Sequence, residues 1–172
     1  WPLMVEAVRQ AVEMAGDELL IIGNFDQSPF DLACQLREIN RFMVDLLENQ
    51  EFAHRLLDLC AQAVSRYAVA LAGAGAHVLN TGDSAASGSL VGPQIYAEFA
   101  FPYEKRVFEA VRARFDTPIT LHICGDTSTC IERMIETGAT GIEIDHVMDL
   151  RRVRQVCRER VTAIGNLNPV DT

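Results

Sequence analysis

The chain has 172 residues, 49% hydrophobic and 23% charged, which is enough apolar mass for one sizeable core. Its 24 acidic residues outnumber 15 basic ones, for a formal net charge of −9. That balance argues against nucleic acid or an anionic membrane face as a partner, since both select clustered Lys and Arg.

The first buried strand is LLIIGNF (19–25). Pro29 and Asp31 suit a helix start, and Leu32, Leu36, Ile39, Met43, Leu46 and Leu47 recur at helical spacing over 32–47. Asn49 is placed to cap a second helix. Its apolar stripe over 51–72 is Phe52, Leu56, Leu59, Ala63, Tyr67 and Leu71. AHVLNTG (76–82) is the second strand. Pro93 fits the first turn of a helix over 94–114, and Pro102 inside that helix predicts a kink or a break. PITLHIC (118–124) is the third strand, followed by a short helix over 127–137 with Gly138 as its C-terminal cap. GIEID (141–145) and VTAIGN (161–166) are the fourth and fifth strands. Between them, Arg151, Arg152, Arg154, Arg158 and Arg160 alternate with acidic and apolar residues, as on a solvated helix face.

Strands alternating with helices, most tightly over 118–166, imply an α/β protein with a parallel sheet. An open doubly wound sheet and a closed (β/α)8 barrel both satisfy that alternation. The strand ends favour the barrel. Successive side chains on a strand point to opposite faces, so Thr120, His122 and Cys124 share one face and Ile119, Leu121 and Ile123 the other. Glu143 and Asp145 are likewise set against Ile142 and Ile144. Polar residues close the other strands too: Asn24 and Asp26, Asn80 and Asp83, Asn166 and Asn168. Polar groups gathered at the C-terminal ends of parallel strands are what a barrel active site requires. The expectation is a TIM barrel represented by about five of its eight βα units. A chain starting at Trp1 and stopping in GNLNPVDT, where a loop leads toward a further helix, suggests a fragment of a longer protein. An incomplete barrel exposes strand edges and is expected to associate.

No apolar run approaches the ~18 residues that span a bilayer, and no signal-peptide pattern opens the chain. Cys34, Cys60, Cys124, Cys130 and Cys157 are an odd set without framework spacing, so free thiols in a reducing, cytoplasmic setting are expected. Cys34, Cys60, Cys130 and Cys157 fall in helical patterns and read as core fillers. His122 and Cys124 differ. Two apart on a strand, they project in one direction, and imidazole nitrogen with thiolate sulfur is a donor pair that Zn²⁺ prefers. A catalytic zinc takes three protein ligands and leaves one position open. The same H-x-C spacing also fits a packed cysteine beside a hydrogen-bonded histidine.

The segments GDSAASGSLVGPQIYAEFAFPYEKRVFEAV and HICGDTSTCIERMIETGATGIEIDHVMDL, followed by GNLNP, closely resemble the uroporphyrinogen decarboxylase superfamily over about residues 75–172. Within it, H-x-C-G resembles the cobamide-dependent methyltransferase branch, which includes the methylcobamide:coenzyme M methyltransferases. The resemblance implies a (β/α)8 barrel in which His122 and Cys124 bind catalytic zinc, with a third ligand, a cysteine, expected beyond Thr172. It also implies a methylcobamide or other corrinoid as co-substrate, carried by a partner corrinoid protein, and a small thiol or methylated molecule as the other reactant. The zinc would hold that thiol deprotonated, so that its sulfur could take the methyl group as the methyl–cobalt bond breaks and its electron pair stays on cobalt.

Asp145 and Asp83 are the candidate catalytic carboxylates. Asp145 is expected to orient ligand or substrate, whereas Asp83 is equally placed to cap a turn. Glu143 and Asn166 are candidate substrate-binding residues, with a paired core acid and a loop-closing amide as the other readings. His54, His77 and His146 receive no ligand assignment. The alternatives are a metal-free uroporphyrinogen decarboxylase, which needs arginines for acidic side chains where these strand ends are poor in Arg, and a non-catalytic corrinoid-partner docking module. A D-x-H-x-x-G motif for ligating cobalt is absent.

Overall fold

The computed structural model describes residues 1–168 and 170. Pro169, Asp171 and Thr172, in the terminal loop expected to lead into a further helix, lie outside the described residues. Five parallel strands form one sheet: β1 (Ile22–Asn24), β2 (Val78–Gly82), β3 (Ile119–His122), β4 (Gly141–Glu143) and β5 (Thr162–Ile164). Their spatial order is their chain order. A doubly wound sheet must reverse direction at a switch point; here every crossover advances the sheet the same way, as consecutive barrel units do. The expected strand faces hold, since Ile119, Leu121, Ile123 and Ile142 are fully buried under the helices. The two outer strands leave Ile22 and Ile164 exposed.

The helices depart from expectation in three places. The N-terminal helix α1 (Pro2–Ala15) was not foreseen; it lies on the long fourth helix, with Trp1 5.5 Å from Tyr67. The periodic stretch 32–47 is two helices, α2 (Pro29–Arg37) and α3 (Ile39–Glu48), broken at Glu38 with φ 73°. Its carboxylate caps α3 by accepting from the Asn40 and Arg41 amides. In α4 (Gln50–Gly73) the buried stripe is Ala53, Leu57, Cys60, Ala61, Val64, Ala68, Leu71 and Ala72, rotated by about one residue from the expected Phe52, Leu56, Leu59 and Ala63. Small residues let α4 approach its neighbours closely, and Leu59 is left outside.

Pro93 opens α5 (Pro93–Ile95), which continues through a π turn (Tyr96–Ala100) into α6 (Phe101–Arg112). The wide turn directly precedes Pro102, whose ring cannot fit a regular helix. The two short remaining helices are α7 (Ile131–Glu136), followed by Gly138 with φ 91°, and α8 (Leu150–Cys157), capped by Asp149. Among the described residues no helix is long and apolar enough to cross a membrane. Cys34, Cys60, Cys130 and Cys157 are buried free thiols, as expected of core fillers, and Cys124 is exposed.

Candidate metal site at the strand ends

Register builds the site. Parallel pairing sets Asn80 beside Thr120, and sets His122 between Gly82 and Glu143. These residues lie near the C-terminal ends of β2, β3 and β4. The Asn80 side-chain amide donates to Thr120 Oγ1 at 2.7 Å and to Glu143 Oε1 at 2.5 Å. The Thr120 hydroxyl donates onward to the same Glu143 oxygen at 3.1 Å. Glu143 Oε1 is thereby saturated, and Oε2 faces the His122 ring, 3.7 Å from Nδ1. Both side chains are about one-third exposed, at 35% and 32%.

The other ring nitrogen, His122 Nε2, lies 3.0 Å from Cys124 Sγ. Sequence reasoning placed these atoms on one side of the strand, and the structure brings them into contact. Bound to one zinc at the usual lengths of ~2.1 and ~2.3 Å, they would sit ~3.6 Å apart, so a small rotation opens the hydrogen bond into a ligand pair. The arrangement fits a metal: one nitrogen is aimed at the sulfur while a carboxylate stands behind the other, as in carboxylate–histidine–metal sites. Among the described residues no third His, Cys, Asp or Glu completes a metal-holding group.

The carboxylate beside His122 is therefore Glu143. Asp145, expected there, lies beyond the end of β4, where it accepts from the Gly125 amide at 2.8 Å and contacts His146 Nδ1 at 2.6 Å. The Gly125, Val147 and His146 contacts hold its carboxyl below the usual aspartate range. Asp145 thus shapes the turn after Cys124. Gly125 has φ 77°, and a Cβ there would lie 2.7 Å from Ser89 Oγ, so only glycine fits this turn. Asn166 donates its amide to the carbonyls of His146 at 3.3 Å and Met148 at 3.1 Å, tying the loop after β5 to the loop after β4.

Asp83 is fully buried, closed to a substrate. Its Oδ1 accepts from the Asp31 amide at 2.8 Å, while Asp31 accepts from the Ser84 and Ala85 amides at 3.1 and 2.7 Å. Among the described residues, Asp83 Oδ2 and Glu104 Oε1 are buried without a hydrogen-bond partner, and the neighbouring Glu104 charge adds to burial in raising Asp83. Burial pushes both up, Glu104 to about 7. Tyr96 donates to Glu104 Oε2 at 2.6 Å. Sequence reasoning passed over Glu104. Its signal was an acid in the apolar stripe Tyr96, Ala100, Val107, Phe108 and Val111.

The unassigned histidines serve the scaffold. His77 accepts from the Ile21 amide at 2.9 Å, and His54 stacks on Phe99 beside Tyr103. His146 is exposed and paired with Asp145.

Comparison with known proteins identifies the family and the fold. The family described as Uroporphyrinogen decarboxylase (URO-D) matches residues 1–172. A methylcobamide:CoM methyltransferase MtbA of Methanosarcina acetivorans is 34% identical over 168 residues, 98% of this chain and 48% of the relative. A uroporphyrinogen decarboxylase of Ralstonia pickettii is 32% identical over 174 residues, 96% of this chain and 47% of the relative. A solved methyltransferase from Methanosarcina mazei superposes with a TM-score of 0.88 at 24% identity, covering 96% of this chain and 48% of that one. The chain spans about half the length of the relatives it matches.

Proposed function

The chain belongs to the uroporphyrinogen decarboxylase family, and from that premise we propose that it is the zinc-binding part of an enzyme transferring a methyl group between a corrinoid and a small thiol or methylated substrate. One observation carries the reading: His122 Nε2 and Cys124 Sγ meet at 3.0 Å at the C-terminal end of a parallel sheet, with Glu143 behind the ring. The relatives named methylcobamide:CoM methyltransferases support it.

His122 and Cys124 would hold the zinc, and a third ligand would come from beyond Thr172. Zinc, when bound, supplies a Lewis-acidic position at which a thiol is held deprotonated near neutral pH. Glu143 Oε2 stands 3.7 Å from Nδ1, and a small closure of that gap on metal binding would let it accept from Nδ1 and leave Nε2 for the metal. Asn80 and Thr120 hold Glu143 in place and leave one carboxylate oxygen for the ring. Asp145 keeps Cys124 at the rim through the Gly125 turn. Asn166 closes the neighbouring loop rather than reaching substrate, and Asp83 acts from beneath as a support. The co-substrate would be a methylcobamide delivered by a corrinoid protein in a reducing, cytoplasmic setting.

The test is metal analysis of the full-length protein, with the region beyond Thr172 included, together with methyl transfer from methylcobalamin to coenzyme M and other thiols. Stoichiometric zinc that is lost with His122→Ala or Cys124→Ala, and transfer that falls with it, is the expected result. A zinc-free protein that consumes a porphyrinogen would instead favour the decarboxylase reading. The strand ends argue against that reading, because residues 22–28, 80–92, 119–131, 141–149 and 162–168 contain no arginine to hold acidic side chains.

A further inference from the structure

Cys124 Sγ has a second polar neighbour besides His122: Ser84 Oγ lies 3.2 Å away. We infer that Ser84 is a positioning residue that donates its hydroxyl hydrogen to the Cys124 sulfur when that sulfur is the metal-binding thiolate. The inference rests on the zinc reading and adds a residue to it.

A serine hydroxyl near a sulfur carries weight only when its backbone is held in place. Here it is held from both sides. From below, Asp31 accepts the Ser84 and Ala85 amides, and Asp83 fixes Asp31 in turn. From the β3 side, the Asp83 amide donates to the His122 carbonyl at 2.9 Å. Ser87 Oγ donates to the Cys124 carbonyl at 2.5 Å. The loop crosses so close that a Cβ on Gly88 would lie 2.3 Å from the Asp126 carbonyl oxygen. Ser84 is therefore presented to Cys124 by an amide held by Asp31 and by flanking residues tied to β3, and its hydroxyl has no other side-chain partner among the described residues.

The chemistry follows from charge. A thiolate ligand accepts hydrogen bonds, and a hydroxyl donor stabilises its lone pairs and tempers its donation to the metal. The contact also fixes the Cys124 rotamer, so the sulfur is presented to the ion without a search.

The experiment replaces zinc with Co²⁺ in the full-length protein, with the region beyond Thr172 included, and follows both the dissociation constant and the thiolate-to-cobalt charge-transfer band. Ser84→Ala is expected to weaken binding about 10-fold, in the range for lost outer-shell partners, and to move the band to longer wavelength as the sulfur lone pair rises. Ser84→Thr, which keeps the hydroxyl, should restore both. Ser87→Ala loosens the same loop without touching sulfur; it should weaken binding while leaving the band in place. An unmoved band in Ser84→Ala, or a Ser84→Thr protein indistinguishable from Ser84→Ala, would overturn the inference and leave the zinc reading standing. A parent protein whose Co²⁺ binding is unaffected by Cys124→Ala would overturn the zinc reading, and this inference with it.

Discussion

Two clusters of polar side chains lie one loop apart, and they behave as opposites. At the rim, Asn80, Thr120, His122 and Glu143 are partly exposed, and each carboxylate oxygen has a partner or a view of the imidazole. Beneath the loop 84–89, Asp83, Glu104 and Tyr96 are fully buried, and each carboxyl leaves one oxygen without a hydrogen-bond partner among the described residues. Both clusters contain the residue types of an active site. Water access separates them: a carboxylate at the rim can stay charged and assist a ligand, whereas a buried pair must keep a proton and becomes scaffold.

The sharpest way to break this contrast is at the rim. His122→Ala or Cys124→Ala should abolish metal retention and lower methyl transfer by at least ~100-fold, while the stability of the metal-free protein shifts by less than ~1 kcal/mol because neither side chain is core. Metal analysis, followed by a melting curve on the same sample after metal removal, checks both halves. A large melting shift with zinc retained would invert the assignment of roles.

The buried cluster should respond to pH instead. Glu104 has its folded value raised to about 7, and Asp83 is raised in the same direction. The folded state then binds more protons than the unfolded one, so stability is fullest in mild acid. It is lost as pH rises from the ordinary carboxyl range through about 7. The loss should amount to a few kcal/mol by linkage, and Glu104→Gln should flatten it. Denaturant melts at several pH values measure the slope; a parent protein whose stability does not fall between mild acid and pH 8 would show that neither buried carboxyl is held protonated.

Gly125→Ala tests the junction between the clusters. The left-handed turn and the approach of Ser89 should cost about 1–3 kcal/mol and displace Cys124, which metal affinity would read. The smallest effect is expected at Asn166→Ala, within about 1 kcal/mol in stability and with zinc retained. A loss of substrate affinity without a loss of stability there would restore Asn166 to substrate binding.

Much of the fold was legible because period and punctuation are local. The stretch PITLHIC alternates strictly, so its inner and outer faces followed from spacing alone, and Gly138 and Pro93 sit where helices end and begin. Helix rotation was harder to read. In α4 the large residues Phe52, Leu56 and Leu59 drew the expected stripe, yet close packing selected Ala53, Ala61 and Ala68. The break at Glu38 was invisible because apolar spacing runs on through it. In the site, the H-x-C pair was readable from strand geometry, but the carboxylate behind it was not. Asp145 and Glu143 share a face in sequence, and only pairing between β3 and β4 decides which one stands beside His122.

The amino-acid sequence by itself determined the alternation of strands and helices, the face on which His122 and Cys124 sit, and the family to which the chain belongs. These depend on side-chain periodicity and residue type, which are properties of neighbours along the chain. Tertiary structure alone decided that the strands run in consecutive order, that Glu143 backs the histidine, and that Asp83 is sealed against Glu104 while Ser84 reaches the sulfur. Each of those depends on contacts between residues far apart in the chain, where register and burial rather than local spacing set which groups meet.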